Sequence, residues 1–142
     1  MPQPQEEPVG LAVTRTSRTL ARAFEQALAA AGGSTPTWLV LLSARTGSHR
    51  TQAELAAAVG VRGPTLTHHL DGMERAGLVT RAPVPGDRRG QRVVLTPAGE
   101  ELFLRLREAA AAFDRRLRAG LAEAEVAQLR RLLATLAGNV AD

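Results

Sequence analysis

Apolar positions recur three and four residues apart over most of the chain and give way to β-branched runs in one short region. From Leu11 onward helices are therefore predicted except around residues 78 to 95. From Leu11 to Ala31 the positions Val13, Leu20, Phe24, Ala27, Leu28 and Ala31 keep helical spacing, and Gly32-Gly33-Ser34-Thr35-Pro36 stops the helix. Thr35 is the predicted cap of the next helix, with Pro36 in its first turn and Trp38 to Ala44 apolar enough to be buried. Thr51-Gln52-Ala53-Glu54 is a capping box, which opens a short helix to Ala58 that ends at Gly60. Val61 to Thr65 turns the chain, and a second helix runs through Leu66, Leu70 and Met73 to Ala76, with Gly77 as its C-terminal cap. Two short helices joined at Gly60 form a helix-turn-helix pattern.

Leu78-Val79-Thr80-Arg81-Ala82-Pro83 and Arg92-Val93-Val94-Leu95 read as strands, and the Pro, Gly and Asp between them belong to a hairpin loop. Pro83 fits an edge strand or the shoulder of the loop. Thr96-Pro97 caps a long helix reaching about Arg118, with the stripe Leu102, Leu106, Ala109, Phe113 and Leu117. After Gly120 a last helix carries Val126, Leu129, Leu133, Leu136 and Val140. Residues 1–10, with three prolines and two glutamates, read as a disordered lead. The fold class expected is mainly α with a small β-hairpin wing. In it, helices at 11–35 and 96–142 flank a winged helix-turn-helix at 36–95. The terminal helices have more apolar surface than one small core can cover, so they are expected to dimerise with a second copy of the chain.

The 142 residues suffice for one domain with extensions. All 18 basic residues are arginine, and the formal net charge is +4. Residues 11 to 60 carry five arginines against two acids and residues 61 to 100 six against four, whereas 101 to 142 carry seven against six. The positive excess is thus greatest over residues 11 to 60 and least over 101 to 142. Arginine keeps its charge at physiological pH and presents donors suited to phosphate. The absence of cysteine excludes disulfides and Cys-ligated zinc. With no long apolar run and no leader pattern, a soluble protein of the cytoplasm is expected, with no membrane partner.

Asp87-Arg88-Arg89-Gly90-Gln91-Arg92 places guanidinium groups at the tip of the hairpin, directly after the helix pair. Such a tip is suited to a polyanion. An arginine there can enter the narrow minor groove of DNA, where negative potential is focused; Arg89 is the candidate, and Asp87 can brace it. Arg88 and Arg92 are expected on phosphates. In a helix-turn-helix the N-terminal residues of the second helix meet base edges, here Arg62, Gly63, Pro64, Thr65, Thr67 and His68.

These residues carry a family resemblance. The chain resembles the MarR family of bacterial winged helix-turn-helix regulators from about Leu11 to Val140. The likeness is strongest in Glu54-Leu55-Ala56, Pro64-Thr65-Leu66-Thr67, Leu70 through Arg81, Asp87-Arg88-Arg89 and Leu95-Thr96-Pro97-Ala98-Gly99. It implies an obligate homodimer on double-stranded, pseudo-palindromic operator DNA, recognition by the helix starting near Arg62, and Arg89 in the minor groove. It also implies repression relieved by a small aromatic or phenolic effector lying between the dimerisation helices and the DNA-binding lobe. Two departures are local: Arg62 stands where members often carry a capping serine, and Ala122 where they often carry Ser or Thr.

An effector site would draw on Arg15, Arg18, Trp38, Leu42 and Phe113, with Phe24 and Leu41 beside them; Trp38 near an arginine suits an aromatic carboxylate. No catalytic constellation, phosphate loop or metal-binding pattern is legible, so neither an enzyme nor a cofactor is expected. Adjacent His68 and His69 point about 100 degrees apart on a helix and do not jointly chelate an ion. The alternative function is an interaction dimer whose winged domain no longer binds DNA.

Overall fold

The computed structural model describes residues 6–47 and 51–142, with the backbone alone described at 87–90. Among the described residues six helices and one antiparallel hairpin follow in the order α1 (Val9–Ala30), α2 (Thr35–Thr46), α3 (Gln52–Val59), α4 (Gly63–Arg75), β1 (Val79–Val84), β2 (Asp87–Leu95), α5 (Pro97–Leu117) and α6 (Glu123–Val140). The chain divides into two compact units, Met1–Ala110 and Ala111–Asp142, the boundary falling inside α5.

The core of the first unit follows the predicted stripes. Leu66, Leu70 and Met73 are buried on α4 at i, i+4 and i+7, one face of a helix. They join Leu28 of α1, Val40 and Leu41 of α2, Leu55 and Val59 of α3, Val79 of β1, and Leu102, Phe103 and Leu106 of α5. Each such side chain stabilises the fold by about 1.5–3 kcal/mol through burial. In the second unit Val126 is buried. Leu129, Leu132, Leu133, Leu136 and Val140 of α6 are exposed in the single chain.

Several boundaries differ from the sequence expectation. The cap of α2 is Ser34, not Thr35: the Ser34 hydroxyl accepts from the Thr37 amide at 3.3 Å. Thr35 is instead held by Glu25, whose carboxylate accepts from its amide at 3.0 Å and from its hydroxyl. A negative group is thereby set at a positive helix end. Helix α4 starts at Gly63 rather than after Thr65, because proline is compatible with a first helical turn, where its missing N–H costs nothing. The turn of the helix pair thus shrinks to Gly60-Val61-Arg62. Gly60 sits at φ 80°, a left-handed conformation that favours glycine.

The hairpin is also tighter than expected. Only Pro85-Gly86 separates the strands, the residue order of a type II turn, and β2 already begins at Asp87. Val79 to Pro83 pair with Leu95 to Gln91 in unbroken register, after which Val84 pairs with Asp87. Residues 88 to 90 therefore form a bulge in β2. Pro83 is accommodated because both strands of a two-stranded sheet are edges.

The hairpin is joined to α5 at close range. The Thr96 amide donates to the Leu78 carbonyl at 3.0 Å, the Thr96 hydroxyl donates to the Gly77 carbonyl, and the same oxygen accepts from the Gly99 amide at 3.1 Å. Gly99 is buried there, and a β-carbon on it would lie 2.0 Å from the Leu78 carbonyl oxygen. At α6 the unsubstituted cap position Ala122 is partly compensated: its amide donates to the Glu125 carboxylate at 2.9 Å.

Candidate nucleic-acid interface

Helix α3 is opened by Thr51, whose hydroxyl accepts from the Glu54 amide at 3.0 Å, as the capping box predicts. Helix α4 has no such cap: Arg62 stands at its N-cap, and its side chain makes no capping hydrogen bond. An uncapped N-terminus carries partial positive charge and free donors, an arrangement suited to a phosphate oxygen. Arg62, Gly63, Pro64, Thr65 and His68 are all exposed, so five of the six residues expected to read bases stand on the solvent side of α4 and its lead-in.

Thr67 does not stand with them. It is half-buried, its hydroxyl donates to the Gly63 carbonyl at 3.1 Å, and it accepts from the Gln52 side-chain amide. Its donor and one of its two acceptor positions are engaged within the scaffold, so Thr67 ties α4 to α3. The reason is geometric: Thr67 follows the core residue Leu66 by one position and turns toward α3, whereas Thr65 and His68 turn outward. His69 is half-buried beside His68, with ring centroids 6.2 Å apart and planes tilted by 56°.

The wing is tied to α4 by Arg81, whose role no local pattern announces. Arg81 of β1 donates through Nε to Glu74 at 3.1 Å and through a terminal nitrogen to Asp71 at 2.5 Å. Its side chain is 19% exposed, against 48% and 46% for its two carboxylate partners. The bonds to Glu74 and Asp71 push the guanidinium pKa above its ordinary value. One residue of the wing thus grips two positions three apart on one face of α4 and sets the angle between the two elements. The signal available in sequence was that spacing of Asp71 and Glu74, followed by an arginine on the adjoining strand.

Arg92 is exposed on β2, paired in register with Ala82. The side chains of Asp87, Arg88 and Arg89 lie outside the described residues; their backbone occupies the tip and bulge of the hairpin.

The residues expected to form an effector site lie on α1, α2 and α5. Trp38 is half-buried and stacked on Phe103, with centroids 5.5 Å apart and planes within 16°. Arg45 and Arg107 lie over the same Phe103 ring at 5.6 and 5.8 Å. Leu42, one turn after Trp38, packs against the core together with Leu39. Arg15 is exposed and paired with Glu7 at 2.5 Å, and Arg18 is exposed. Phe113 belongs to the second compact unit. Among the described residues no three His, Cys, Asp or Glu side chains are grouped so as to hold a metal ion.

Comparison with known proteins gives one consistent picture. The model of the MarR family matches residues 32–90. The chain is similar to the transcriptional regulator PA3341, at 36% identity and a TM-score of 0.79, with 94% of this chain and 98% of that one covered. It is similar to a mutant MarR from E. coli complexed with operator DNA, at 28% identity and a TM-score of 0.79, with 91% and 93% covered. It is also similar to the transcriptional repressor CouR bound to a 23-mer DNA duplex, at 28% identity and a TM-score of 0.81, with 92% of each chain covered.

Proposed function

The chain belongs to the MarR family of winged helix-turn-helix, DNA-binding transcriptional regulators, and on that premise we propose that two copies of it clasp a pseudo-palindromic operator and repress transcription. The family is non-enzymatic and typically dimeric. In the proposed arrangement residues 36–95 are the DNA-binding domain, and helices within 11–35 and 96–142 hold the two copies together. The exposed stripe Leu129, Leu133, Leu136 and Val140 supports this assembly, since apolar positions at that spacing are stabilised by a matching face and a second copy supplies one.

The observation that carries the reading is α4 itself: an uncapped helix start with Pro64, Thr65 and His68 outward, gripped by the wing through Arg81. Thr65 and His68 read base edges in the major groove, while the amides of the first turn and Arg62 take phosphate. Arg89 enters the minor groove braced by Asp87, and Arg88 and Arg92 lie on the backbone. A small aromatic or phenolic molecule releases the protein, and its place of action is the cytoplasm, on the nucleoid.

The test is selection of bound sequences from random duplexes, followed by anisotropy titrations over a range of salt. A two-fold repeat with half-site centres about 34 Å apart, and affinity falling steeply with salt, is expected. An asymmetric single site, salt-insensitive retention, or a monomer at micromolar concentration by sedimentation would refute the arrangement.

A further inference from the structure

Helix α1 is attached to the rest of its compact unit near its C-terminal end: of its residues only Leu28 is buried, and Phe24 packs beside it on the core. After Ala31-Gly32-Gly33-Ser34 helix α2 sets off at 74° to it. Two glycines in succession give this connection little stiffness of its own. The angle is held from outside the connection. The Glu25 carboxylate on α1 accepts from the amide of Thr35, the first residue of α2, at 3.0 Å, and from its hydroxyl. A charged acceptor that takes two donors at a helix start makes a strong and directional joint. Leu106 of α5 closes against the same connection, where a β-carbon on Gly33 would lie 2.7 Å from its side chain.

We infer that Glu25 is a positioning residue for duplex recognition, which acts through Thr35 to fix the angle at which α2 and the elements packed on it leave α1. The inference rests on the reading of α4 and the wing as the DNA-binding parts and of α1 as one of the helices that hold two copies together. Helix α2 packs against α3, α4 and β2, so these swing with it. At about 1.5 Å per residue its 12 residues span about 18 Å, and a swing of about 6° displaces its far end by about 2 Å. In a two-fold pair the two displacements add to about 4 Å, more than the ~3.4 Å step between base pairs. A joint that drifts by a few degrees therefore loses the spacing between half-sites, while the side chains that read each half-site stay unchanged.

The chain has no cysteine, so nitroxides on Ser17→Cys and Ala58→Cys, both exposed, report the angle between α1 and the helix pair when labelled full-length protein is diluted with unlabelled protein. Pulsed electron resonance should give one narrow distance distribution in the parent and a broad or displaced one in Glu25→Ala. Glu25→Gln, which keeps an oxygen acceptor for both donors, should restore the narrow one. In titrations the parent should reject a selected duplex lengthened or shortened by one base pair between half-sites by about tenfold. Glu25→Ala should bind the three lengths within about threefold of one another, with unchanged base preference inside each half-site, and Glu25→Gln should again discriminate. Thr35→Val, which removes the hydroxyl bond and keeps the amide bond, should fall between parent and Glu25→Ala in both readouts. Identical distance distributions in parent and Glu25→Ala, or one common loss of affinity at all three lengths, overturn the inference, since a merely structural defect leaves the ratio between lengths unchanged. Duplex binding by the parent in either case leaves the regulator reading standing. A parent that binds no duplex strikes the regulator reading and the positioning role with it.

Discussion

Replacing Gly99 by alanine adds one carbon where the start of α5 meets the start of the hairpin, and the consequence can be worked through from distances. The new β-carbon would stand 2.0 Å from the Leu78 carbonyl oxygen and 3.0 Å from its carbon. Neighbouring backbone must therefore retreat by at least about 1 Å, and backbone yields far less readily than the end of a side chain. The retreat strains three hydrogen bonds that meet at this point, from the Thr96 amide to Leu78, from the Thr96 hydroxyl to Gly77 and from the Gly99 amide to Thr96. Overpacking costs about 1–3 kcal/mol and each weakened bond about 0.5–1.5 kcal/mol. The gain in helix propensity returns about 1 kcal/mol. The net expectation is a loss of about 2–4 kcal/mol, or a Tm lowered by roughly 10 °C. Gly72→Ala is the matched control, because a β-carbon there meets nothing within 4 Å and the residue is helical. It should be neutral or stabilising by up to about 1 kcal/mol. Urea and thermal unfolding at one fixed protein concentration read both variants. Equal stability of Gly99→Ala and the parent would refute the reasoning, since it would mean that the α5–hairpin junction yields freely.

Three further outcomes are expected. Arg81→Gln should cost about 1 kcal/mol in stability, a modest figure because both carboxylates are half exposed, and should weaken duplex binding by loosening the wing. Its contribution should be flat across the neutral range: a guanidinium raised above its ordinary value by Glu74 and Asp71 stabilises at every pH below the unfolded value and loses this only as pH climbs through the still higher folded one, so a loss near neutrality that follows Arg81 in a comparison of variant and parent unfolding would contradict it. His68→Ala should change the base preferred at one position of each half-site, and an unaltered selection profile would count against its place in the groove. Arg89→Ala should weaken selected and unselected duplexes together by about 1–3 kcal/mol at matched salt, and unchanged affinity would remove it from the interface.

Much of the helix pair and hairpin was legible because their signals are local. The capping box at Thr51, the turn at Gly60, the spacing of Leu66, Leu70 and Met73, and the basic hairpin each depend on neighbours in sequence. The misplacements have equally definite causes. Thr35 reads as a cap by type, yet Glu25 from another helix binds its amide and hydroxyl and leaves Ser34 to cap. Thr67 reads as a base-contacting threonine by type, and the structure adds a contact no spacing announced: Gln52, fifteen residues earlier, donates to its hydroxyl. Proline and glycine after Arg62 read as turn, although proline is equally at home in the first turn of α4.

The chain by itself determined the family, the order of helices around one hairpin, the stripes that form the core and the surfaces rich in arginine. These depend on periodicity and on residue types at short spacing, which do not change when the chain folds. Only the tertiary structure decided that Arg81 grips Asp71 and Glu74, that Gln52 donates to Thr67 and that Trp38 rests on Phe103. Each of those joins groups from different elements. Which partner a side chain finds across such a junction is set by the packing of whole helices and strands, and no spacing along the sequence encodes it.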